Sequence, residues 1–150
     1  MTVGIYKQKA SDVMSTHVDA IHCKETLRDA LTMMANNHLT ALPVVDGKER
    51  CVGIISQSDL IEITESDLEF QSSLKLFGGL ALEQVTSERI EDVMTDRVVS
   101  VLPDLGVPEV ADLMLDQSIH HIPVCDEDGK LRGIISTMDI LAGLRQPSKA

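Results

Sequence analysis

Two Ser-x-x-Asp quartets carry the most suggestive chemistry in the chain: Ser56-Gln57-Ser58-Asp59, and Ser136-Thr137-Met138-Asp139. A hydroxyl offers one donor and two lone pairs, and an ionised carboxylate offers two acceptor oxygens. Such a pair can exchange hydrogen bonds with a polar ligand. The spacing is also that of a helix capping box, with Asp where Glu or Gln is usual. Capping and ligand contact would share one exposed helix start. Upstream of the second quartet stand His120 and His121, imidazoles whose cationic form a nearby anion would favour. Thr40 and Ala41 occupy the corresponding place in the first half, so any two sites built this way are inequivalent. His17, His22 and His38 are scattered and lack the spacing of a zinc site. Nothing resembles a nucleophile with its base, a Walker loop or a dinucleotide glycine fingerprint, so no enzyme is expected.

These residues belong to an internal repeat. Asp59 returns as Asp139, Asp12-Val13-Met14 as Asp92-Val93-Met94, Pro43-Val44 as Pro123-Val124, and Gly53 to Ser56 as Gly133 to Ser136, always 80 positions on. One shared register means a structural duplication. In the first copy Val18 to Ile21 alternates as a strand. Thr26 and Asp29 form a capping box for a helix whose stripe is Leu27, Ala30, Leu31 and Met34. Leu42 to Val45 and Cys51 to Ile55 make a hairpin around Asp46-Gly47-Lys48, and Ser56 opens a second helix through Leu60, Ile61 and Ile63. In the second copy Val98 to Leu102 is the strand, and Val107, Val110, Ala111 and Met114 form the stripe, with Pro108 near the helix start. Ile122 to Cys125 and Leu131 to Ile135 make the hairpin, and Met138 to Leu144 the last helix. A sheet covered by helices on one face must bury the other, here against the partner repeat. Residues 64–89 lie outside the repeat and read as a helical spacer broken at Gly78-Gly79.

The composition narrows the partners. A net charge of −11 and a pI near 4.7 oppose a nucleic-acid backbone or an anionic membrane. With Tyr6, Phe70 and Phe77 as the only aromatics and no Trp, the chain has no stacking platform for bases, and its core must be aliphatic and Met-rich. Cys23, Cys51 and Cys125 are odd in number and lie in or beside apolar runs, where free Cys acts as a small hydrophobe. Structural disulfides are not expected, and a reducing compartment is. No signal peptide or membrane-length apolar run is visible. The expectation is a soluble, cytoplasmic protein.

Asp-Val-Met, Leu-Pro-Val-Val-Asp and Gly-Ile-Ile-Ser-x-x-Asp, in order and twice, resemble the cystathionine-β-synthase (CBS) domain. Two in tandem resemble a Bateman module, and the likeness spans roughly residues 10 to 142. It implies an α/β (α+β) fold of two β-α-β-β-α motifs, 10–63 and 90–144 around the 64–89 spacer, packed about a pseudo-two-fold axis through their sheets. Relatives bind adenosine-containing ligands (AMP, ADP, ATP or S-adenosylmethionine) in clefts between the motifs. Ser56, Asp59, Ser136 and Asp139 match the family's ribose and phosphate positions. His120 and His121 stand where relatives often carry basic groups that reach phosphates, and Thr40 and Ala41 would frame an adenine. Vicinal ribose hydroxyls suit a carboxylate, each charge-assisted bond contributing roughly 1.5–3 kcal/mol.

The implied function is a non-enzymatic sensor needing no cofactor. It resembles the small free-standing bacterial members of the family, forms a homodimer, and signals to an unknown effector protein in trans. The alternative is a ligand-free dimerisation or protein-interaction module. High acidity does not forbid a nucleotide: one carboxylate about 10 Å from a phosphate costs about 0.4 kcal/mol in water, against about 8 kcal/mol for micromolar binding. It tilts the choice toward fewer phosphates or a magnesium-bearing ligand.

Overall fold

The computed structural model describes residues 3–59 and 87–145. Helices α1 (Val3–Tyr6) and α2 (Ala10–Val13) precede strand β1 (Ile21–His22), helix α3 (Leu27–Asn37) and the strands β2 (Ala41–Val45) and β3 (Cys51–Ser56). The second half runs α4 (Ile90–Val93), α5 (Val107–Gln117), β4 (His121–Cys125), β5 (Leu131–Ser136) and α6 (Thr137–Arg145). The fold is α+β. Gln57 to Asp59 are helical; the rest of that helix and most of the expected spacer fall in residues 60–86, outside the described residues.

Helix α3 forms where its cap and stripe predict. Thr26 Oγ1 accepts from the Asp29 N–H at 3.3 Å, and Asp29 Oδ2 accepts from the Thr26 N–H at 3.0 Å. The Thr26 N–H and then the Thr26 hydroxyl, which also donates to Asp29 Oδ2 (2.9 Å), hold the Asp29 carboxyl below its usual range. Leu27, Ala30 and Met34 are buried on one side. Helix α5 repeats the design with Pro108 in its first turn and Val107, Val110 and Met114 buried. Gly106 caps it without a side-chain bond.

The described residues divide into two compact units, each assembled from both halves of the sequence. The β1–β3 unit contains residues 19–47, 52–59 and 87–98. Its three-stranded sheet runs β1-β2-β3, with β1 parallel to β2 through the pairs Ile21 with Val44 and His22 with Val45. Its core is Ile21, Leu27, Ala30, Met34, Leu42, Val44, Ile55 and, from the second half, Ile90. The α4 segment is bound through Ile90 N–H to Glu25 O (2.8 Å), Glu91 N–H to Cys23 O (2.9 Å) and Leu27 N–H to Glu88 O (2.8 Å).

The β4–β5 unit contains residues 3–18, 48–51 and 99–145. Here the first half supplies the docked segment: Ala10 N–H donates to Leu105 O (2.7 Å), Ser11 N–H to Pro103 O (3.0 Å) and Val107 N–H to Gln8 O (2.9 Å). These are the same three contacts, 80 positions displaced. Ala10 enters a core of Val101, Val110, Met114, Ile122, Val124 and Ile135. Each Asp-Val-Met segment therefore docks on the other repeat's elements. Its Met explains the glycine that recurs in the strand. A Cβ on Gly53 would come 3.0 Å from Met94 Cγ and 3.1 Å from Thr95 O, and one on Gly133 2.9 Å from both Met14 Cγ and Ser15 O.

The first strand of each repeat is shorter than its alternation suggests. Val18 to Ile21 was expected, and β1 begins only at Ile21. In place of a Val98 to Leu102 strand the chain makes a single parallel bridge, Val101 with Val124. Val101 donates to Pro123 O and accepts from Cys125 N–H. Two residues on, Pro103 has no N–H and its carbonyl is taken by Ser11, so pairing cannot extend.

Candidate functional site

In the β4–β5 unit the hairpin gathers all four of its expected residues at one end. His121 is the register partner of Ser136, and His120 O accepts from Thr137 N–H at 3.0 Å. Asp139 Oδ2 accepts from the Ser136 N–H at 2.8 Å, and Ser136 Oγ from the Asp139 N–H at 3.1 Å. The quartet is thus a capping box opening α6. Asp139 Oδ1 accepts no hydrogen bond from any described residue. It remains an acceptor beside a helix start, where the dipole is positive. Capping uses one carboxylate oxygen and leaves the other.

The β1–β3 unit places Thr40, Ala41, Ser56 and Asp59 in the same way. Thr40 O accepts from Gln57 N–H at 3.0 Å, Ala41 begins β2 and is buried, and Ser56 with Asp59 forms the capping box (2.8 and 3.3 Å). This carboxylate is more fully engaged. The Ser56 hydroxyl donates to Asp59 Oδ2 at 3.0 Å, and Thr95 Oγ1 donates to Asp59 Oδ1 at 3.3 Å. Thr95 reaches the site because its backbone and that of Ile54 exchange two bonds of 3.1 Å. Ser15 pairs with Ile134 identically (2.9 and 3.1 Å), but its hydroxyl faces His17 O at 3.4 Å. Thr95 was not among the residues expected at the site. The available signal was the hydroxyl repeated after each Asp-Val-Met, Ser15 and Thr95.

Electrostatics separate the two places further. Burial pushes the His121 imidazole below its ordinary value of 6.5; His120 lowers it further, and the Asp139 carboxylate acts the other way. His121 is therefore neutral at pH 7 without a ligand, and an anion nearby would favour its cationic form. Among the described residues no three His, Cys, Asp or Glu side chains cluster to hold a metal ion. No helix among them is long and apolar enough to cross a membrane.

The family model for the CBS domain matches residues 10–66 and 90–146. The chain is 27% identical to an inosine-5′-monophosphate dehydrogenase of Methanocaldococcus jannaschii over 143 residues, 95% of this chain and 25% of that protein. It is 28% identical to the chloroplastic CBS domain-containing protein CBSX1 of Arabidopsis thaliana, over 97% of this chain and 64% of that one. It thus spans less than two thirds of either relative. A crystal structure of CBSX2 in complex with AMP superposes with a TM-score of 0.72 at 26% identity, covering 90% of this chain and 94% of that one. Two matched segments, in the order and register of the internal repeat, take up most of the sequence: the chain belongs to the CBS-domain family.

Proposed function

We propose that this CBS pair, with motifs at 10–63 and 90–144 joined by a spacer at 64–89, is a non-enzymatic sensor of an adenosine-containing ligand, AMP above all. ADP, ATP and S-adenosylmethionine are its competitors. The observation that carries the reading is the gathering of Ser136, Asp139, His120 and His121 at one end of the β4–β5 hairpin, with Asp139 Oδ1 unengaged by the described residues. Ribose hydroxyls would donate to that oxygen. His121, protonated as the phosphate arrives, would pair with it. AMP is favoured because one phosphate suits a site offering two imidazoles, His120 and His121, in a chain of net charge −11; longer phosphates would call for magnesium. Ser56 and Asp59, with Thr40 and Ala41 as adenine frame, make the weaker place because Thr95 already occupies Asp59 Oδ1.

Binding would regulate by favouring one arrangement of the module over another, which requires different affinities for the two. A partner protein in trans reads the change. A homodimer is part of this reading: Met138, Leu141 and Leu144 recur along α6 and are 69%, 56% and 43% exposed, an apolar strip suited to a second copy.

A thermal-shift panel of AMP, ADP, ATP, S-adenosylmethionine and NADH tests the proposal. A ligand at a hundredfold over Kd adds about 2.7 kcal/mol, or roughly 5–11 °C in a domain of this size. No shift with any adenosine compound would favour the ligand-free interaction module, for which the capping boxes alone account for both quartets.

A further inference from the structure

Cys51 and Cys125 are 74 positions apart in the sequence, yet they meet in the β4–β5 unit. The segment Glu49 to Cys51 lies along the start of β5, with Cys51 N–H donating to Gly129 O at 3.0 Å and Leu131 N–H to Glu49 O at 3.1 Å. Cys125 is the register partner of Leu131 on the opposite strand. Both side chains line a cavity of about 170 Å³ shared with Ser100, Leu102, Asp126 and Glu127. The pair has no counterpart in the β1–β3 unit, where Val45 stands in the place of Cys125 and Leu131 repeats Cys51. Cys23 lies in the other core.

We propose that Cys51 and Cys125 form an oxidative modification site, closing an intramolecular disulfide when a peroxide enters the cavity they share. The Cys125 sulfur attacks one peroxide oxygen and breaks the O–O bond. Its thiol proton leaves with the departing hydroxide as water, and Cys125 becomes a sulfenic acid. The Cys51 sulfur then attacks the sulfenic sulfur, the S–O bond breaks, and the Cys51 proton leaves with that hydroxide as a second water. The two thiols together lose two electrons, which reduce the peroxide. Cys125 is the better first nucleophile. The neighbouring Cys51 and Ser100 side chains lower its thiol pKa, against desolvation and the pull of Asp126. The Asp126 charge is itself partly met by Arg132 Nη2 at 2.8 Å. The disulfide would tie the Glu49 to Cys51 segment covalently to β4.

The test treats the intact, ligand-free chain with hydrogen peroxide, blocks remaining thiols by alkylation and maps peptides without reduction. The expected product has lost the mass of two hydrogens, alkylates only at Cys23, and yields a Cys51–Cys125 cross-linked peptide that dithiothreitol reverses. Its Tm should rise by roughly 4–16 °C. Cys51→Ser, at a half-buried position, should fold normally and abolish the cross-link, as should Cys125→Ser. Full alkylation of Cys51 and Cys125 after peroxide would overturn the proposal, and so would a cross-link through Cys23 or between chains.

Discussion

Thr95 reaches across 36 positions to donate from Oγ1 to Asp59 Oδ1 at 3.3 Å. Asp139, the same residue one repeat later, receives no such bond from Ser15. The two carboxylates are therefore unequal recipients for a ribose. Asp139→Asn should weaken AMP roughly 10- to 100-fold, the loss of one charge-assisted bond. Asp59→Asn should leave the dominant binding event within about threefold. Calorimetric titration of the two variants decides it; equal losses would remove the asymmetry argument.

His121 supplies a pH signature. Its folded-state pKa lies below 6.5 in the ligand-free protein, burial being the main cause. The unfolded chain therefore binds more protons in that window, so ligand-free stability falls as pH drops below about 6.5. A bound phosphate reverses the preference, and AMP affinity should rise between pH 8 and 6.5, by at most about tenfold per unit. That range stays above the second phosphate pKa near 6. Adenosine, and AMP with His121→Gln, should show flat profiles.

Gly133→Ala should lower stability by about 1–3 kcal/mol through overpacking, because its Cβ meets both Met14 Cγ and Ser15 O at 2.9 Å. Gly53→Ala should behave alike against Met94 and Thr95. Adding Met14→Ala to Gly133→Ala should not restore the wild-type midpoint in urea, since the carbonyl remains. Full restoration would mean that the side chain alone demands the glycine.

Glu49 and Gly129 hold the same hairpin position with φ of 62° and 82°. Gly129→Ala should cost about 1–2 kcal/mol from backbone conformation alone, since a Cβ there finds nothing nearer than 3.9 Å. Glu49→Gly should be neutral or stabilising by up to about 1 kcal/mol. Thermal midpoints of the pair measure both effects.

Local chemistry was the readable part of this chain. The Thr26–Asp29 box, the helical stripes and the hairpin turns each depend on residues within a few positions, and all form where the pattern puts them. The Ser-x-x-Asp quartets do cap helices, as their spacing suggests. What the sequence did not reveal depends on distant partners. Val98 to Leu102 alternates like a strand but finds a single pairing position, because Pro103 and Ser11 divert its neighbours. The Thr95 contact to Asp59 and the meeting of Cys51 with Cys125 arise from docked segments whose destinations no local pattern encodes. Nor did the repeat announce that its Asp-Val-Met would pack on the opposite copy.

That reciprocal docking bears on ancestry. A polypeptide carrying a single repeat would lack the Ala10 or Ile90 that fills its core, and could obtain one only by borrowing from another molecule. Fusing two such polypeptides would turn a concentration-dependent encounter into an intramolecular one. The halves would then become mutually dependent, and separately expressed fragments should fold only when mixed.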